Sequence, residues 1–287
     1  MYNSSLFASL VHDQARMYKE RVALSYRDYD ADCWRDISWV DFSKDVRRVS
    51  RALVSLGIGE QENIGVFSQN KPECLITDFG AYGVRAVTIP FYATSSEHQV
   101  TYMVRDAGIR MVLVGEQYQY DTLWRVQGIT HSIEHIVVFD PKVERNPMDR
   151  ISISWEEFLA MGDSEEYQTE VDKRTAAATV DDLINILYTS GTTGEPKGVM
   201  LTMRMYAAGL KGNDEALPTL SDQDRVLNFL PFTHVFERAW SYLCVSKGAH
   251  LFVNLRPQDV QKSMQEVHPT CMCSVPRFWE KVYAGVK

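Results

Sequence analysis

A chain of 287 residues is long enough to bury a sizeable core, as one large domain or two smaller ones. Its 45% hydrophobic and 24% charged content is ordinary for a globular protein, and no stretch approaches the ~20 apolar residues of a spanning helix. A net charge of −8 with no run of like charge argues against a nucleic-acid partner, because phosphate contacts need clustered lysine and arginine.

In chain order, helix-like and strand-like segments alternate. Residues 6–18 read as a helix and residues 22–26 as an alternating strand. A second helix is expected over 39–56, stopped by Gly57, and 64–67 is a short buried strand. Asn70 is placed to cap the next helix, with Pro72 in its first turn and Leu75, Ile76, Phe79 and Tyr82 on its apolar face. Residues 86–90 form a strand, Ser95 or Ser96 caps a helix to Val104, and 110–114 and 135–139 are strands around another helix. Residues 140–180 break the rhythm with Pro141, Pro147 and Gly162 around one short helix at 155–161, which reads as a passage between two halves.

After this passage come strands at 183–187, 226–230, 249–253 and 270–275. Helices at 204–211, 234–246, 257–268 and from Pro276 onward alternate with them. Strands separated by helices of this length imply parallel pairing, so the expected fold is α/β and doubly wound. A first subdomain covers residues 1–175 and a second covers 176–287. Five scattered cysteines and an N-terminus without a secretory pattern suit reduced thiols in a cytoplasmic protein. Cys271 and Cys273 with His268 nearby lack a second cysteine pair at ligand spacing, and His131 and His135 have an i,i+4 spacing that would suit a metal on a helix, but His135 heads an expected strand, so no zinc site is expected.

The stretch that carries chemistry is Thr189-Ser190-Gly191-Thr192-Thr193-Gly194-Glu195-Pro196-Lys197-Gly198, between an apolar strand and a returning strand at 199–201. Glycines let backbone N–H groups approach an oligophosphate, hydroxyls donate further hydrogen bonds, and Lys197 adds a point charge. It is not a Walker A loop, since Pro196 precedes the lysine and Gly198 follows it. The plain alternative is a Gly/Thr-rich surface turn.

A second motif, Pro231-Phe232-Thr233-His234-Val235-Phe236-Glu237, enters a helix at the carboxyl end of a strand, where ligands gather in open parallel sheets. Phe232, Phe236 and Trp240 suit either an apolar tunnel or plain core. The chain has no Gly-x-Ser-x-Gly elbow that would mark a hydrolase triad.

Residues 189–198 resemble the phosphate-loop signature of the adenylate-forming superfamily, which includes acyl-CoA synthetases, luciferases and peptide-synthetase adenylation domains. Residues 231–237 are similar to its Pro-x-x-His-x-x-Glu element. Asn70–Glu73, Pro90–Ser96, Pro231–Arg238 and Val275–Tyr283 look like the corresponding segments of bacterial-type long-chain fatty acyl-CoA ligases. Met203 departs from the histidine that relatives commonly place there.

The resemblance implies a fold and a reaction. The fold would be the two-subdomain N-terminal domain of that superfamily. The reaction would activate a fatty acid with ATP to acyl-AMP and then form a thioester with coenzyme A. Thr189, Ser190, Gly191, Thr192, Thr193, Gly194 and Lys197 would hold the β- and γ-phosphates, Thr192 would contribute to Mg²⁺, and His234 and Lys197 would be the catalytic positions. The family's adenine-binding aromatic, Thr-Glu pair, ribose-binding aspartate and C-terminal domain have no counterpart here, so the chain is expected to be an N-terminal portion, incomplete and inactive alone. An adenylate-forming ligase for another acid or a carrier-protein acceptor, and a non-catalytic ATP-binding module, are the competing readings. Peripheral membrane contact and oligomeric state stay open.

Overall fold

The β-branched runs pair into two sheets in the computed structural model, which describes residues 6–189 and 195–286. Helix α1 (Leu6–Tyr18) leads into β1 (Val22–Asp28) and β2 (Cys33–Ser38), and α2 (Trp39–Ser55) follows. A strand–helix unit then repeats through β3 (Asn63–Phe67), α3 (Pro72–Gly83), β4 (Val87–Phe91), α4 (Glu97–Asp106), β5 (Met111–Val114), α5 (Gln117–Thr130) and β6 (His135–Val138). Next come β7 (Ser152–Ser154), α6 (Trp155–Met161), α7 (Gln168–Ala176), β8 (Leu183–Thr189), β9 (Lys197–Thr202) and α8 (Met203–Ala216). The remaining elements are β10 (Arg225–Asn228), α9 (Val235–Ser246), β11 (His250–Val253), α10 (Val260–Val267) and α11 (Pro276–Val286).

The seven-stranded sheet has the order β7-β6-β5-β3-β4-β8-β9, parallel except for β9, which returns antiparallel on β8. The four-stranded sheet has the order β10-β11-β1-β2, with β1 parallel to β11 and β2 antiparallel at the edge. The α/β, βα-alternating expectation therefore holds. The sheets do not divide the chain at one point, however: β8 and β9, beyond residue 176, complete the first sheet, and the hairpin of β1 and β2 belongs to the second. Leu24 pairs with Leu251, so the second sheet closes only when both ends of the chain have met.

Three local expectations change. Asn70 does not cap α3; Lys71 holds that position without a side-chain bond, and the Asn70 amide is engaged elsewhere. The 140–180 passage carries β7 on the sheet edge and α7, a helix in which only Val171 is buried and which therefore shows no apolar stripe. The strand at 270–275 reduces to one bridge, Val226 to Cys271, and the chain then turns into α11. Ser96 does cap α4, in a reciprocal capping box with Gln99.

Alternation along the central strands sends side chains to two cores, as expected of a sheet covered on both faces. Val66, Leu113 and Val137 face the core built with α1, α2, α3 and α9. Phe67, Val112, Val114 and Val138 face the core under α4 and α5.

Inside the first core lies a polar network. Asp78 on α3 and Arg238 on α9, each 1% exposed, form an ion pair. Asp78 accepts from Tyr242 at 2.9 Å and from Thr88 at 2.8 Å, while Arg238 Nε donates to the Phe232 carbonyl at 2.7 Å. Tyr82 bonds Tyr242 at 2.6 Å, Asn185 donates to Tyr82 and Thr88, and Tyr206 donates to Asn185 at 2.7 Å. Removing one partner of such a pair leaves a buried charge uncompensated, at a cost of ~3–5 kcal/mol. Arg238→Ala should therefore lose about that much stability in urea unfolding, whereas Asp78→Leu combined with Arg238→Met should recover a large part of it; a single variant as stable as the parent would refute this account.

Candidate active site

The parallel strands deliver their carboxyl ends to one side. β3 ends into Ser68–Asn70, β4 into Tyr92, β10 into the 229–234 loop and β11 into Asn254. Between these ends lies a cleft of about 390 Å³, walled by Ser68, Asn70, Tyr92, Phe229, Thr233 and Asn254 among others. Phe229, Pro231 and Pro257 also wall a second, mostly apolar cavity of about 780 Å³, closed on its far side by Met264, Val275 and Phe278.

Of the residues expected in the phosphate loop, Thr189 is the last residue of β8 and Lys197 the first of β9. They are register partners, and both are exposed. Ser190, Gly191, Thr192, Thr193 and Gly194 lie outside the described residues, as does the Mg²⁺ assignment to Thr192. Gly198 is required where it stands, because a Cβ there would sit 2.8 Å from Ile186 Cγ2, against the ladder neighbour β8. The strands flanking the loop are fixed from below by α4: Tyr188 donates to Asp106 at 2.5 Å and meets the Tyr102 ring edge-on at 6.3 Å.

His234 is the N-cap residue of α9, exposed, and its ring meets Tyr92 edge-on at 5.8 Å. Tyr92 follows β4, which neighbours β8 in the sheet, and lines the cleft. Of the three aromatics near it, Phe232 is buried in the cleft wall, Trp240 packs against the first core and Phe236 is 55% exposed.

Two positioning groups were not singled out as such from the sequence. Asn70 donates to the Leu230 carbonyl at 2.8 Å and accepts from the Phe232 N–H at 3.0 Å, so it clips the histidine loop onto the end of β3. Arg238, one turn into α9, holds the Phe232 carbonyl from the other side. An asparagine before a proline-started helix suggests a cap; only its long-range partner reveals the clip.

Glu237, in the first turn of α9, is fully buried. Asn228 donates to its Oε1 at 2.7 Å, and the Cys273 thiol lies beside the carboxyl. Burial pushes its pKa from the ordinary 4.5 up to about 8, so the group is mostly protonated at neutral pH. Among the described residues no group of three or more histidine, cysteine or acidic side chains could hold a metal.

Comparisons with known proteins agree with this geometry. The model of the AMP-binding enzyme family matches residues 11–287. Fatty acyl-CoA synthetase A of Dictyostelium discoideum is 30% identical over 272 residues, covering 91% of this chain and 39% of that protein. The long-chain-fatty-acid–CoA ligase FadD15 of Mycobacterium tuberculosis is 31% identical over 252 residues, covering 87% of this chain and 40% of that protein. This chain thus spans well under half the length of these curated relatives. The fold is shared with a long-chain-fatty-acid-CoA ligase (FadD1) from Archaeoglobus fulgidus, at TM-score 0.79, 21% identity, and coverage of 96% of this chain and 53% of that one. It is shared too with the anthranilate CoA ligase AuaEII in complex with anthranoyl-AMP, at TM-score 0.76 and 19% identity, covering 93% and 49%.

A carboxyl whose pKa is raised in the folded state binds more protons there than in the unfolded chain between the two pKa values. Its contribution to stability is complete below pH 4.5, falls as pH rises toward about 8, and is level above. Glu237→Gln should therefore flatten the decline in urea-unfolding stability across that window; a decline as steep as the parent's would show that another group carries it.

Proposed function

The chain belongs to the AMP-binding enzyme family, and from that premise we propose that it forms the ATP- and acid-binding portion of a long-chain fatty acyl-CoA ligase. The observation that carries the reading is the pairing of Thr189 with Lys197 at the carboxyl end of β8, in the sheet whose neighbouring strand β4 leads to Tyr92 and its ring contact with His234. An exposed lysine at the mouth of a glycine- and hydroxyl-rich loop suits the phosphates of ATP. The adjoining apolar cavity of about 780 Å³ suits a hydrocarbon chain, which needs no polar partners. Support for the long chain comes also from the two curated relatives, whose names specify fatty acyl or long-chain fatty acid substrates.

In the first step the fatty acid carboxylate oxygen bonds the α-phosphorus as the bond to the bridging oxygen breaks, and pyrophosphate leaves. Lys197 neutralises charge on the β- and γ-phosphates and on the leaving group, while His234 flanks the acyl-adenylate. In the second step the coenzyme A thiol adds to the acyl carbonyl, its proton is lost, and AMP departs. Such chemistry draws on positioning and charge neutralisation rather than on a protein nucleophile. The family's Mg²⁺ has no acidic or histidine cluster among the described residues to hold it.

Titration of the chain with ATP should show saturable binding that Lys197→Ala weakens by roughly tenfold, the loss of one charge-assisted phosphate contact. Equal affinity in the two proteins would remove the loop assignment. Palmitate, and not anthranilate, should support exchange of labelled pyrophosphate into ATP by the enzyme; exchange with anthranilate alone would move the substrate class to aryl acids.

A further inference from the structure

A further cleft, of about 350 Å³, lies between α1, α2 and α7, away from the strand ends just described. Its walls include Ser9, His12 and Arg16 from α1, Arg47 and Arg51 from α2, and Gln168 from α7. Gly83, the last residue of α3, also lines it. Since α3 starts at the carboxyl end of β3 and finishes ahead of β4, this cleft sits toward the amino ends of the strands.

The cationic groups here are unequally satisfied. Arg51 donates to the Gln168 side chain at 2.7 Å and to the Gly162 carbonyl at 3.3 Å, with Glu165 at 3.6 Å. Arg16 pairs with Asp13. Asp172 on the rim is held by the Gln168 amide at 2.7 Å. Arg47 makes no hydrogen bond or ion pair among the described residues, although it stands four residues before Arg51 on the same helix face. Like charges at that spacing repel by about 0.2–0.5 kcal/mol, and no carboxylate offsets it at Arg47. The same field is felt by His12, whose pKa is lowered to about 4, mainly by burial and next by Arg47.

We propose that this cleft is a binding site for a phosphate dianion, free or carried by a small phosphorylated molecule, with Arg47 as its main ligand and Arg16, Arg51 and Ser9 around it. Guanidinium groups that line one cleft from two helices suit the several oxygens of a tetrahedral oxyanion, which a planar carboxylate matches less well. The volume exceeds that of phosphate alone and leaves room for a small organic part. One wall, α1, is tied to α9 through Gln14, which donates to the Val245 and Ser246 carbonyls at 2.9 and 2.7 Å. An anion drawing α1, α2 and α7 together would therefore also brace the helix that begins at His234.

The test is calorimetric titration of the 287-residue chain carrying Lys197→Ala with inorganic phosphate and, separately, with glycerol 3-phosphate. Saturable binding is expected, with the His12 imidazole resonance, assigned with His12→Gln, titrating at higher pH when the anion is bound. Adding Arg47→Gln should weaken binding about tenfold, a change of ~1.4 kcal/mol, with far-UV circular dichroism unchanged. Tighter binding of glycerol 3-phosphate identifies a phosphorylated metabolite as the ligand, and equal binding identifies phosphate itself. Binding that vanishes in the Lys197→Ala chain, binding that Arg47→Gln leaves unchanged, or no saturable binding of either probe would overturn the proposal.

Discussion

The buried ion pair between Asp78 and Arg238 is the constraint on which the arrangement depends. A charge taken out of water must recover its solvation from the protein, and here each proton in the network has one direction. Tyr206 donates to Asn185, Asn185 to Tyr82 and Thr88, Tyr82 to Tyr242, and Tyr242 and Thr88 to Asp78. Asn185 lies in β8, the strand that leads to the glycine- and hydroxyl-rich segment after Thr189, and Arg238 grips the carbonyl of Phe232 in the histidine loop. One network therefore sets both motif-bearing segments relative to α3. A shift of either segment would strand a charge or a hydroxyl in the core, which is far costlier than moving an apolar contact by the same distance.

Asn70, just past the end of β3, adds a complementary restraint on the same loop. With its two bonds to the backbone of Leu230 and Phe232, the end of β3 and the end of β10 are joined across the cleft, so the cleft belongs to both sheets. The second sheet itself forms only when β1 pairs with β11, elements more than two hundred residues apart in the chain. Geometry at His234 thus rests on long-range contacts. Folding through such contacts is slow relative to local helix formation, because loop closure precedes the reward.

Period and punctuation made most of the fold legible. Apolar runs identified most of the strands, and from α1 through β6 the elements that were read follow the sequence reading to within a residue or two at most ends, as does the returning strand β9; β2 (Cys33–Ser38), a polar edge strand with no buried residue, was not read. What escaped reading has physical reasons. Helix α7 is polar on nearly all sides, and β7 is three residues long, so neither carries a period. The run at 270–275 has strand composition, yet only Cys271 bridges β10. Asp78 stands on the stripe of Leu75, Phe79 and Tyr82, and a carboxylate on an apolar stripe does signal a buried partner; its partner, 160 residues away, lies beyond local pattern. The same holds for Asn70. The motif residues Thr189, Lys197 and His234 were found from local chemistry, while the groups that position the histidine loop were visible only in three dimensions.

The first two turns of α9 hold both engaged and unpartnered groups. Arg238 and Tyr242 are fully engaged, whereas Thr233 Oγ1, Glu237 Oε2, Trp240 Nε1 and the neighbouring Asn228 Oδ1 are buried without a conventional hydrogen-bond partner. Ser274 Oγ, on the segment that carries Cys273 toward the Glu237 carboxyl, is in the same position. Each such atom forgoes on the order of 1–3 kcal/mol relative to a satisfied one. Engaged and unpartnered groups thus sit side by side in the first two turns of the helix, close to His234. Locally low stability of this kind is usual where chain must adjust to a ligand. In this fold the anchor that keeps the histidine in register and the slack that lets its surroundings adapt lie within one turn of the same helix.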